Sequence, residues 1–329
     1  MTGIMHRFRQ LIGRNGVPDE PIVDSIQRLT AEAADGRRHA FGELAGALFT
    51  VVSDAELADS ALDVLAAAGP KIWIDLDGVL RPGRYGYRDP RITLPPAVHE
   101  MSNPLAVALA ACGRNGRERY RAIGHPAMRT DVRLFPVLAI RTADWAETVQ
   151  DRALHVLGDV LTDAAALLAV VPVVARLGDR SRGHRTVETV RDALRRADDS
   201  TLGIVRGCGD LRGRRFVFDV SLERMNLRQL AAASLHESDT ISRTRCAEAL
   251  AARAIARDQP ELMEELLPGT SARVRVTALT TLVRLGHPEH GLRFLDDDAS
   301  MVRLTAQWAV RRAGGDPAAL YRQHLQLTA

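Results

Sequence analysis

TSARVRVTALTTLVRLG, residues Thr270–Gly286, decides the fold class. Val274, Ala278, Leu279, Leu282 and Leu285 recur at steps of four, one, three and three, which draws one apolar stripe along a 3.6-residue helix. Thr270 or Ser271 offers a hydroxyl to the first free backbone N–H groups, as a helix start requires. Gly286 tolerates the left-handed conformation of a helix end, and Pro288 cannot continue a helix. Ala278 sits mid-stripe, where a small side chain lets a neighbouring helix approach.

The same phrase recurs along the chain. In the form apolar–Arg–x–x–small–x–x–x–apolar it is Val274, Arg275, Ala278 and Leu282. Further copies are Val302, Arg303, Ala306 and Val310, and Leu227, Arg228, Ala231 and Leu235. Arg243, Cys246 and Leu250 fit without the leading apolar residue, and Val149, Gln150, Ala153 and Leu157 fit with Gln for Arg. Fainter copies lie at Arg37–Leu44 and Leu57–Leu65. Cys246 to Ala278 spans 32 residues, Ala278 to Ala306 spans 28, and Ala122 to Ala153 spans 31. A period near thirty is that of a helix pair, and one such pair cannot bury its stripe without stacking on the next. The expected fold class is therefore all-α, with stacked helical hairpins.

Two of these phrases, SARVRVTALTTLVRLG and DDASMVRLTAQWAVRRAG, resemble HEAT and HEAT-like repeats, in which an Asp-containing turn precedes Val-Arg and a small residue. RTADWAETVQDRAL, Arg141–Leu154, is similar to the Asp-Trp units of bacterial HEAT-like proteins, with Ala146 and Gln150 at positions where that pattern has Val and Arg. The resemblance is best over about 115–160 and 225–315. It implies a right-handed α-solenoid and one of three activities known among such proteins: interaction scaffold, pigment-attachment lyase-type chaperone, or alkylpurine DNA glycosylase. Trp145 with Glu147 or Asp151 resembles the tryptophan and carboxylate such a glycosylase places around an extrahelical base. The spacing favours Trp145 as an apolar plug in a repeat turn.

Composition agrees with a helical array. The chain has 329 residues, 46% hydrophobic but only 4% aromatic, and Lys71 is its one lysine. Arginine with abundant alanine points to a GC-rich bacterial genome. A net charge of +3 is too small to imply nucleic acid by itself. Cys112, Cys208 and Cys246 lack metal-like spacing and suit a reducing cytoplasm. The opening MTGIMHRFRQLIG carries no signal-peptide apolar run. The longest apolar run, Ala164–Ala175, contains Pro172 and is too short for a bilayer, so it reads as a buried repeat helix.

KIWIDLDGVL, Lys71–Leu80, resembles the first motif of haloacid dehalogenase-like phosphatases. That resemblance would make Asp75 the nucleophile and Asp77 a general acid/base beside Mg²⁺. The remaining parts of such a site are missing: Thr142 already fits a repeat turn, and no acidic pair follows a clear strand. Ile72, Trp73, Leu76, Val79 and Leu80 instead form a helical stripe after Gly-Pro, with Asp75 and Asp77 on a solvated face.

Three domains are expected: an N-terminal helical block at 1–80, an irregular Pro/Arg/Tyr-rich connector at 81–103, and a HEAT-like array at 104–329. Helices are expected near 37–52 and 54–68, divided by Ser53-Asp54 as a cap. Three arginine groups lie near unit turns or helix starts: Arg117, Arg119 and Arg121; Arg180, Arg182 and Arg185; and Arg212, Arg214 and Arg215. Aligned, they would make a phosphate-binding surface. With 44 basic and 41 acidic residues, a ladder of Arg–Asp pairs between adjacent turns is the simpler expectation. His287 and His290 lie three apart around a proline turn with no other obvious ligand, so no metal or cofactor is expected. The leading functional expectation is a non-catalytic, cytoplasmic scaffold that presents a concave face to another protein. Nucleic-acid binding, including glycosylase-like chemistry, is the second; the Asp75/Asp77 phosphatase is the third. No membrane partner is expected.

Overall fold

The computed structural model describes residues 21–81, 94–178 and 182–328, with side chains to Arg322. Among the described residues every regular element is helical and no strand occurs. No helix among them is long and apolar enough to cross a membrane. The chain divides into two compact units, residues 1–201 and 202–329. The connector expected at 81–103 is described only at its two ends.

The first unit opens with α1 (Ile22–Ala34), α2 (Arg38–Val51), α3 (Ala55–Ala67) and α4 (Pro70–Leu80). Asp54 caps α3 by accepting from the Glu56 and Leu57 N–H groups at 3.0 and 3.1 Å. Gly69, at φ 84°, makes the turn into α4, and Pro70 takes the first helical position where its missing N–H costs nothing. Ile72, Trp73, Leu76 and Leu80 are buried, and α4 packs against α2. The Lys71–Leu80 stretch is thus a helix and not the strand a phosphatase motif requires. Asp77, expected in solvent, is buried with them.

Next come α5 (Pro96–Glu100), α6 (Pro104–Ala111), α7 (Gly116–Ile123), α8 (Ala127–Thr130), a 3-10 turn at Val132–Leu134, and α9 (Phe135–Arg141). Then follow α10 (Glu147–Val160), α11 (Ala164–Leu177) and α12 (His184–Arg196), while α13 (Asp199–Arg206) crosses the boundary between the units. Every residue of α6 from Leu105 to Ala111 is buried, as expected of a helix apolar all round. Asn103 caps it through the Ala106 N–H at 2.9 Å, and donates its own amide to Val52 O at 2.8 Å. The run Ala164–Ala175 lies in α11, whose inner face is buried and which contains Pro172. Both α9 and α11 pack on α4, α7 packs on α10, and α10 on α12.

The second unit comprises α14 (Leu211–Ser221), α15 (Leu227–His236), α16 (Thr240–Arg257), α17 (Glu261–Glu264), α18 (Ala272–Arg284), a 3-10 turn at Pro288–Phe294, α19 (Ser300–Arg312) and α20 (Pro317–Thr328). Helices α14, α16, α18 and α19 pack consecutively. α15 packs on α16, α17 on both α16 and α18, and the 3-10 turn on both α18 and α19. The predicted stripe is realised: Val274, Ala278, Leu279 and Leu282 are buried in one cluster running from Phe218 to Val302, and Leu285 is half-buried against it. Each such leucine contributes about 1.5–3 kcal/mol of apolar burial. Gly286 ends α18 at φ 90°. Ser271 stands at the head of α18, but its hydroxyl makes no capping bond.

Candidate functional site

One arginine geometry recurs at three places and orders the charged residues of both units. Arg119 Nη1 donates to Gly113 O at 3.1 Å and Arg114 O at 2.8 Å, six and five residues behind it. Arg275 Nη1 donates to Gly269 O at 2.8 Å and Thr270 O at 3.1 Å, at the same offsets. Arg303 Nη1 donates to Asp297 O at 2.7 Å and Asp298 O at 2.9 Å, again six and five behind. The grip neutralises carbonyls that the turn before a helix leaves unpaired.

Two of these arginines also reach forward to an aspartate in the next turn. Arg119 makes a two-pronged pair with Asp144, Nε at 3.0 Å and Nη2 at 3.1 Å. Arg275 Nη2 meets Asp297 at 2.8 Å. Each of these aspartates in turn accepts from the backbone N–H two residues on, Ala146 at 3.0 Å and Ala299 at 2.8 Å. Arg215 and Asp239 make a further two-pronged pair at 3.0 and 2.7 Å.

This pairing has a pH consequence in the second unit. Arg215, together with the Ser242 N–H and hydroxyl, holds the Asp239 carboxyl far below the usual carboxylate range. Burial pushes the Asp297 carboxyl up, but Arg275, the Ala299 N–H and Arg303 carry it below its ordinary value. A depressed carboxyl stabilises the fold above its unfolded pKa and loses that contribution as pH falls toward its folded value. The second unit should therefore weaken below about pH 4. A urea midpoint followed from about pH 5 down to pH 2.5 should fall more steeply in the wild type than in Asp239→Asn; equal slopes would refute the assignment.

The first unit holds the densest cluster. Asp144, in the turn ahead of α10, has a fully buried carboxylate that also accepts from Arg81 Nη2 at 2.7 Å and Arg141 Nη1 at 3.1 Å. Asp77, on α4, pairs with Arg81 at 3.2 Å and closely with Arg141. Three guanidinium groups thus surround two carboxylates, joining α4, α7, the end of α9 and the head of α10. Burial, with Asp77 adding to it, keeps the neighbouring Cys112 thiol well above its ordinary range, so it stays protonated and unreactive.

Trp145 sits directly on this cluster and is 67% exposed, so it is not the apolar plug of the turn. Arg119 Cζ lies 5.6 Å from its ring centroid, a cation–π contact. Arg182 Nη1 donates to Trp145 O at 2.7 Å and, less closely, to Asp144 O at 3.3 Å. Nearby on the α7–α10 contact, Arg152 Cζ lies 4.2 Å from the ring of exposed Tyr120.

No protein-family model matches this chain, and no curated protein matches it.

The nine arginines of the expected surface are placed differently from one another. Arg119 is 1% exposed and spent inside the cluster, because its helix turns it toward Asp144 while Arg117 and Arg121 face solvent together one turn apart. Arg182 braces Trp145, and Arg185 pairs with Asp151 at 2.7 Å. Arg212 is exposed; Arg214 reaches Ser238 at 2.7 Å and Cys208 O at 3.1 Å, and Arg215 holds Asp239. Arg180 lies outside the described residues. Sequence reading missed Arg81, Arg141 and Asp144 as partners. For Asp144 a signal exists in the Arg-to-Asp separation of 25, 24 and 22 residues in the pairs 119/144, 215/239 and 275/297; Arg81 and Arg141 follow no such spacing.

Proposed function

We propose that this chain is a HEAT-like α-solenoid that acts as a non-catalytic scaffold and binds another protein, with Trp145 as its anchor. The observation that carries the reading is an exposed tryptophan whose own turn is fixed from beneath by Arg119–Asp144 and from the side by Arg182. Tryptophan and arginine dominate the energetics of protein interfaces. An anchor held in place before binding loses little entropy when its partner arrives. The repeated backward grip of Arg119, Arg275 and Arg303 supports equivalent repeat units, and so the solenoid. Placing the anchor in a turn departs from the concave helix face expected from sequence.

Catalytic use of Asp77 and Asp144 is disfavoured because their oxygens already serve several guanidinium donors. The nucleic-acid reading keeps one supporting observation, since an exposed indole beside Arg182 also suits base stacking. Against it, Arg119, Arg185 and Arg215 are each paired with an aspartate.

Trp145→Ala should leave the helical circular-dichroism spectrum intact and weaken capture of the native partner about 30-fold or more, the loss of an anchor worth about 2 kcal/mol or more. A partner retained equally by wild type and variant would defeat the proposal. So would capture of nucleic acid alone, with an affinity that falls steeply with salt.

A further inference from the structure

The second unit brings three potential metal ligands to one place, with a fourth beside one of them. His287, Glu289 and His290 each offer a ligand atom, and these atoms lie within 4.8 Å of one another. His287 Nδ1 is 3.2 Å from Glu289 Oε1. On the far side, His290 Nε2 is 3.3 Å from Glu264 Oε1, a carboxylate contributed by α17. The two imidazole rings stand 6.4 Å apart, centroid to centroid. Two imidazoles with two carboxylates match the donor set of zinc and of similar borderline divalent ions.

The backbone beneath the group is fixed. Gly286 turns the chain at φ 90°, and the His287 N–H donates back to Leu282 O at 2.9 Å. Pro288 fixes its own φ, restricts His287 before it and starts the 3-10 turn. Gly291 then packs so closely on α19 that an added Cβ would lie 2.6 Å from the Ala309 Cβ and 3.0 Å from Ala306 O. The side chains stay accessible: those of His287 and Glu289 are 40% and 59% exposed. Ligands on a rigid turn with mobile tips need only small rotamer changes to close from their present spacing onto a zinc ion, whose bonds to N and O are about 2.0–2.2 Å.

We propose that His287, Glu289 and His290 bind a divalent transition-metal ion of the zinc class, with Glu264 completing the coordination and so clipping α17 to the turn after α18. The sequence alone disfavours this site because it shows two histidines and no third ligand. The structure supplies Glu264, 26 residues before His290, a spacing no local motif reveals.

The test uses the full, tag-free chain with Zn²⁺ alone, followed by isothermal titration, and with Co²⁺ alone, followed by its ligand-field absorption. Wild type should bind one ion with a tetrahedral Co²⁺ spectrum and should unfold at a higher temperature with Zn²⁺ present. His287→Ala with His290→Ala should lower the affinity at least 100-fold, and Glu264→Gln about tenfold. Both changes fall on solvent-accessible side chains, and circular dichroism checks that folding is kept. No uptake by wild type would overturn the site, as would equal affinity in the double variant. Unchanged affinity and unchanged thermal shift in Glu264→Gln would overturn the clip.

Discussion

Asp144→Ala should destabilise the first unit by about 3–5 kcal/mol, the cost of removing one member of a buried ion cluster. The carboxylate accepts from Arg81, Arg119 and Arg141, and the last two are almost fully buried. Without it only Asp77 is left to balance three guanidinium groups. Forming such a cluster gains little over an apolar core, because desolvation opposes attraction; breaking it strands charge in a dry place. Against a whole-domain stability of about 5–15 kcal/mol, the loss is large enough to move a urea midpoint plainly. Asp75→Ala is the matched control. Asp75 meets Lys71 at 2.7 Å on the outer side of α4, an exposed pair whose loss should cost about 0–1 kcal/mol. Arg119→Met combined with Asp144→Ala should cost less than the two single changes summed, since the pair then leaves together. If Asp144→Ala stays within 1 kcal/mol of wild type, the cluster does not carry the first unit.

The second large effect is expected at Trp73. Its side chain is 1% exposed, and α4 packs on α2, α9 and α11. Trp73→Ala should cost about 3–5 kcal/mol through lost burial and the cavity left behind. Trp73→Phe should cost much less: it keeps most of the volume and removes an indole N–H that finds no partner among the described residues. Thermal unfolding followed by circular dichroism distinguishes the three proteins. A silent Trp73→Ala would contradict the central position of α4.

How much of this is legible in the sequence depends on whether the signal is local. The stripe of α18 is legible because Val274, Ala278, Leu279 and Leu282 are apolar and spaced for one face. The helix at Lys71–Leu80 is legible for the same reason, and Gly69-Pro70 marks its start. Asp77 is not. It shares a face with Trp73, four residues before it, yet its charge argues for solvent; Arg81 and, 64 residues on, Arg141 make its burial tolerable. Trp145 misleads in the opposite sense, since an indole in a repeat turn reads as core until Asp144 and Arg119 are seen to occupy the space beneath it. The arginine groups fail as groups because a helix sends adjacent arginines in different directions. Arg119 turns inward between Arg117 and Arg121, and a linear count cannot register that.

The double reach of Arg119 and Arg275 also constrains how such a chain can grow or shrink in evolution. Each bridges the turn behind it and the turn ahead, so a break between guanidinium and aspartate removes a bond from both ends at once. The 25-residue and 22-residue spans of the two bridges show that the intervening length can drift while the pairing is kept. Arg303 reaches back to Asp297 O and Asp298 O in the same way, and meets no carboxylate ahead among the described residues.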